Sequence, residues 1–154
     1  MKTTKKLPKK LKLPGHESSS DLKKEVQRLL RDVVIKRDGG CILRHYQDEM
    51  INQYRECGPY KNDGEVVLQA EHLNSRANMI SFADTRLVIC LCMRHHFYYK
   101  KQYPNEYFRL VDKHIGKERS KLLERVSKDH SPHKIDLKMC ILALKQELKD
   151  GVNK

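Results

Sequence analysis

With 154 residues, of which 34% are charged and 38% apolar, the chain has room for one domain with a modest core and little room for two. Lys and Arg number 32 against 20 Asp and Glu, a formal charge of +12, which points to an acidic polymer as partner. No apolar run approaches the roughly 18 residues of a membrane span, and no apolar stretch follows the N-terminal lysines as in a secretory signal.

Residues 1–17 hold six lysines, two prolines and a single acid, Glu17. Such a segment cannot bury a core and is expected to be a mobile basic arm. Ser19, Ser20 and Asp21 then offer caps for a helix over about 20–37. Its stripe is Leu22, Val26, Leu29, Leu30, Val33 and Val34, and Gly39-Gly40 closes it. Cys41 follows, then a candidate short helix between Gln47 and Arg55, then Cys57-Gly58. Asp63-Gly64 is a turn signal before a strand at roughly 65–71, and a second strand is expected at roughly 86–91. The polar stretch from Leu73 to Thr85 is too long for a tight hairpin and is expected to lie over or beside a site.

A helix over about 93–103 completes a β-β-α order. Pro104 stops it and opens the next, Asn105 to Ile115, with Gly116 as the stop. Two more helical patterns follow at 117–127 and 136–149, the second with Asp136 as its cap. The expected division is a basic arm at 1–17, a central domain at 18–116 and a C-terminal helical extension at 117–154.

The cysteines and histidines carry the chemistry. Five cysteines, two of them in Cys90-Leu-Cys92 beside histidines, read as thiolate–metal chemistry in a reducing, cytoplasmic compartment. Cys92 and His95 are spaced i, i+3, so both can clasp one zinc ion. Cys41 and Cys57 are the candidates for the remaining two ligands. The fifteen residues between them would have to loop out, and His45, in Cys41-Ile-Leu-Arg-His45, competes with Cys57 for the place. Cys90 and Cys140 read as small buried hydrophobes.

His96 lies about 100° round a helix from His95 and is free for another centre. Lys100, four residues on, shares its face. Upstream, the strand Val66 to His72 ends in the carboxylate–imidazole pair Glu71-His72. A histidine with a pKa near 6.5 suits a general base at neutral pH. A hard divalent ion takes carboxylate, phosphate and water, and an imidazole where geometry supplies one. The ordinary alternative is a solvated strand end.

In this order and spacing, Cys41…Cys57-Gly58, Glu71-His72 and Cys92-Met-Arg-His95-His96-Phe-Tyr-Tyr-Lys100 resemble the HNH (ββα-metal) endonucleases in their zinc-stapled form, a family frequent in bacteriophage and prophage. The resemblance covers residues 36–100, under half of the chain. It implies an α+β fold in which a small ββα-metal centre with a structural zinc is flanked by N- and C-terminal helices. It also implies His72 as general base, Glu71 and His96 as ligands of a catalytic Mg²⁺ or other divalent ion, and Lys100 on a phosphate. The family's asparagine falls about five residues before Cys92, where this chain has Leu87. Asn74 and Asn78 are the candidates to replace it.

The function expected from the resemblance is metal-dependent hydrolysis of DNA, with Lys100, Lys101, Arg94 and Arg76 (and further along Arg86) on phosphates. Two readings from other classes stand beside it: a zinc-stabilised nucleic-acid-binding module without cleavage, and a zinc domain that binds protein.

Overall fold

The protein is described from a computed structural model over residues 18–59, 63–130 and 133–151; the predicted basic arm at 1–17 lies outside these residues. The first helix, α1 (Ser19–Asp38), starts where Ser18 accepts from the Asp21 N–H. It ends at Gly39, whose φ of 63° lets its N–H reach the Ile35 carbonyl. Its stripe of Val26, Leu29, Leu30, Val33 and Val34 is fully buried, as the 3.6-residue period predicts.

The expected short helix after Cys41 is instead two tighter 3₁₀ segments, Ile42–Glu49 and Asn52–Tyr54. Strands β1 (Leu68–His72) and β2 (Val88–Cys92) form a two-stranded antiparallel sheet, with Glu71 opposite Ile89 and His72 opposite Val88. Both strands sit slightly later in the chain than their apolar runs suggest. Between them, the expected loop contains one helical turn, α2 (Met79–Phe82), capped by Asn78, and a 3₁₀ turn at Thr85–Leu87.

After β2 comes a π-helical stretch, Arg94–Tyr99, which runs into the short α3 (Lys100–Gln102). Cys92 therefore ends a strand, and does not share a helical turn with His95 as the spacing suggests. Helix α4 (Pro104–Lys128) spans both of the next two predicted helices. Gly116, at φ 74° and ψ 172°, breaks it into two arms. Helix α5 (Leu137–Asp150) is capped by Asp136 as expected.

A two-stranded sheet is not stable alone, and here it is buried on both faces. Ile89 and Leu91 face a core of Ile42, Leu43, Tyr54, Tyr99, Tyr107 and Leu110. Val88 and Cys90 face the second core, formed with α1, Phe82 and the α5 residues Ile141 and Leu144. The outer edge of β2 is covered by side chains. Asp38, whose side chain is only 5% exposed, pairs with Arg37 and accepts from the Cys90 N–H at 2.8 Å. Arg37 and Arg119 both donate to the Val88 carbonyl. These contacts satisfy a row of backbone groups that would otherwise invite another strand. No helix among the described residues is long and apolar enough to cross a membrane.

Candidate metal centre and active site

Four side chains converge between the first 3₁₀ segment, the Cys57-Gly58 turn and the end of β2. The donor atoms of Cys41, Cys57, Cys92 and His95 all lie within 4.8 Å of one another. His95 Nδ1 is 3.2 Å from the Sγ of Cys41, 3.2 Å from that of Cys92 and 4.0 Å from that of Cys57. A tetrahedral zinc, with Zn–S of about 2.3 Å and Zn–N of about 2.0 Å, holds its donors about 3.5–3.8 Å apart. The cluster is thus suited to a structural metal such as zinc.

The supporting contacts point the same way. His95 is fully buried, and its Nε2–H donates to the Tyr54 carbonyl at 2.7 Å. That bond selects the tautomer whose Nδ1 lone pair faces the thiols, as metal-ligating histidines require. Cys41 is pushed up by its hydrogen bonds to Cys57 and Cys92 and by burial. Cys92 is held far below the ordinary thiol range by hydrogen bonds from Cys41 and Cys57. Burial opposes protonation of His95, but hydrogen bonds with Cys57 and Cys92 outweigh it and raise its pKa to about 10. The protons held in this cluster are those a metal would displace.

Of the two sequence candidates for the fourth position, the cluster takes Cys57. His45 is stacked on His114 instead, with ring centroids 6.2 Å apart. Cys90 is fully buried in the core of α1, and Cys140 is half-buried against the same core.

The second group lies on the same side of the sheet. Strand alternation sends Glu71 towards the π-helical stretch and His72 towards α1. The Glu71 carboxylate, on a residue only 7% exposed, meets His96 Nε2 at 2.5 Å and the ammonium of Lys100. Burial pushes its pKa up, and the hydrogen bonds from His96 and Lys100 more than reverse this, so the group stays below the ordinary carboxylate range. Lys100 also lies over the Tyr107 ring, 5.7 Å from its centroid. The sequence reading places Lys100 on a phosphate; in the structure it is engaged with Glu71.

His72 stands apart from this trio. Its Nε2 lies 3.5 Å from the Phe82 carbonyl oxygen, and its buried Nδ1 has no hydrogen-bond partner. Burial first, and the charge of Arg76 second, hold its pKa below the usual histidine value. The ring is therefore neutral at neutral pH. Nδ1 of His96 is likewise buried without a partner.

Two residues near His72 carry a role that the motif does not show. Gln27 on α1 donates from Nε2 to the same Phe82 carbonyl at 2.9 Å. Asn78 caps α2 and donates from Nδ2 to the carbonyls of Val126 and Asp129, at 3.0 and 3.1 Å. Together they tie the turn bearing Phe82 to α1 and to the end of α4. Asn74 serves its own turn, accepting from the Ser75 N–H. Leu87 is fully buried in the core. No sequence signal marks Gln27 beyond its place on a helix whose other face is apolar.

Among the expected phosphate contacts, Arg76 is exposed and lines a groove of about 590 Å³ with Lys23, Lys24, Gln27 and Phe82. Lys101 is exposed on α3. Arg94 is occupied: its guanidinium lies over Gly58 and donates to the Glu56 carbonyl at 3.3 Å. No family model, curated protein or solved structure matches the chain.

Proposed function

We propose that the protein is a metal-dependent endonuclease of the HNH (ββα-metal) type, hydrolysing phosphodiester bonds in DNA. The observation that carries this reading is the convergence of Glu71, His96 and Lys100 beside the Cys₃His cluster. A buried ionised carboxylate with an imidazole and a half-buried ammonium gathered on it costs desolvation energy that apolar side chains would avoid. Buried ionisable groups gathered in this way, here with the Glu71 carboxyl held below its ordinary range by its two partners, concentrate at working sites.

The donor set fits a hard divalent ion. Glu71 Oε2 and His96 Nε2 converge, and their two positions leave the rest of a coordination shell to water and phosphate. Such an ion, when bound, supplies charge neutralisation on the phosphoryl oxygens. The protein's own residues do the remainder. His72, kept neutral by burial, accepts a proton from the attacking water at Nδ1, while its Nε2–H points to the Phe82 carbonyl. Lys100, which now donates to Glu71, would be the group to neutralise a phosphate oxygen if Glu71 and His96 held such an ion. The Cys₃His cluster anchors the end of β2 and the stretch carrying His96, which fixes that imidazole relative to Glu71.

A second reading is a zinc-stabilised nucleic-acid-binding module that does not cut. The buried Leu87 favours it, since no asparagine stands at that position. Nicking of supercoiled plasmid with Mg²⁺ or Mn²⁺ separates the two. The nuclease cuts only with the ion, and His72→Ala lowers the rate by about 100-fold or more, with Glu71→Gln and His96→Ala similarly impaired. Retardation of the plasmid with no cutting under any divalent ion would establish the binding module.

A further inference from the structure

Beyond the hairpin end, the second arm of α4 faces the segment leading into β2 across a cleft of about 400 Å³, lined by Arg86, Glu118, Arg119, Lys121, Leu122 and Arg125. Four of these six are cationic and one is acidic. Positions 118, 121, 122 and 125 recur at i, i+3, i+4 and i+7, so they share one helix face. The break at Gly116 gives the second arm its own direction, while Val126, about a quarter-turn round from this face, is buried.

The positive charge here is built in, and little of it is neutralised. Arg119 is held by backbone, donating from Nε to the Arg86 carbonyl at 2.8 Å and from Nη2 to the Val88 carbonyl at 3.2 Å. Burial, and then the charge of Arg37, hold its pKa below the usual guanidinium value, so a nearby anion would relieve it. Arg86 is paired with Asp84 and remains exposed. Lys121 and Arg125 are exposed and enter no ion pair or hydrogen bond among the described residues. Two further facts place the cleft. Val88 is the register partner of His72, and the Leu73 N–H donates to the Leu87 carbonyl, so Arg86 stands just beyond the end of the hairpin that carries Glu71-His72.

We infer that this cleft binds the phosphate backbone of the nucleic-acid substrate on the flank of the proposed cutting site, with Lys121 and Arg125 as the residues that engage successive phosphates. The inference rests on the nuclease reading for its substrate class. Phosphodiesters are the repeating anions that a row of cations at helical spacing can neutralise together. The cleft adds affinity and orientation without reading base sequence.

The test is the salt dependence of duplex DNA binding by the full chain, measured by fluorescence anisotropy with Ca²⁺ in place of Mg²⁺. In Lys121→Ala/Arg125→Ala, the slope of log affinity against log salt should shrink by about 2, since each phosphate neutralised in B-DNA contributes about 0.9. Zinc content and the thermal midpoint, as controls of folding, should match the unsubstituted protein. An unchanged slope in a folded variant overturns the inference while leaving the nuclease reading intact. Saturation of the cleft by inorganic phosphate, lost in the variant while the DNA slope stays unchanged, would assign the cleft to a free anion and overturn it equally. Failure of the unsubstituted protein to bind DNA in a salt-sensitive way would sink the nuclease reading and this inference together.

Discussion

The two nitrogens of His95 show how much rests on single atoms in this protein. Nε2–H is committed to the Tyr54 carbonyl and Nδ1 to the three sulfurs, so the ring has one usable tautomer and one usable orientation. We expect purified protein to carry one zinc per chain. Cys57→Ser should reduce the zinc content measured by elemental analysis well below that value, whereas His45→Ala should leave it unchanged; the reverse pattern would place His45 in the cluster. Gln27 acts on His72 at one remove. Replacing it with Met, similar in length but unable to donate, frees the Phe82 carbonyl from α1. If the protein cuts DNA as proposed, the expected result is a kcat lower by about tenfold, on the order of 1.4 kcal/mol, with KM for DNA unchanged. A Gln27→Lys variant, which can donate again, should recover much of it. Equal kcat in the Met variant would remove Gln27 from any positioning role.

At the scale of elements, the outer edge of the sheet and the breaks in the helices matter most. Arg37 and Asp38 close the edge of β2 by giving its backbone groups partners from the last turn of α1. Asp38→Ala leaves the Cys90 N–H and part of the Arg37 charge unpaired in a largely buried place. Urea unfolding should show a loss of about 3 kcal/mol, the range for breaking a buried pair. A loss under 1 kcal/mol would mean that Arg37 and water close the edge unaided. Gly116 is a smaller case. At φ 74° an alanine is strained although nothing crowds its Cβ, and Gly116→Ala should cost about 1 kcal/mol or more. The residue patterns announced most elements and the break at Gly116, but not the closing of the β2 edge by Arg37 and Asp38. The stripe from Val26 to Val34 and the Asp136 cap were legible, because period and capping are local properties of a helix. The π-helical stretch was not, since Arg94–Tyr99 differs from an ordinary turn only by where its side chains must reach, which is the metal cluster on one side and Glu71 on the other.

For the molecule as a whole, the described residues pack into two cores beside the Cys₃His cluster. Leu144 on α5 packs in the core beneath α1, and Leu144→Ala should cost about 2–4 kcal/mol in denaturant unfolding. Stripping the metal should matter more. A closed zinc site contributes on the order of 10 kcal/mol, comparable to the entire stability of an ordinary domain. A chelator strong enough to remove zinc should therefore abolish the cooperative thermal transition, and an unchanged transition would show the cluster to be dispensable to the fold. The sequence by itself determined the stripe of α1 and the cap of α5, the basic excess, the pairing of Cys92 with His95 and the place of Glu71 and His72 at the end of a strand. All of these depend on residues within a few positions of one another, where chain geometry leaves little choice. Only the tertiary structure decided that Cys57 and not His45 joins the cluster. The same holds for the meeting of Glu71, His96 and Lys100, the contact of Gln27 with the carbonyl beside His72, and the cleft between α4 and the entry to β2. Those contacts join residues far apart in the chain, and they are set by how two small cores pack against one short sheet, which no local pattern encodes.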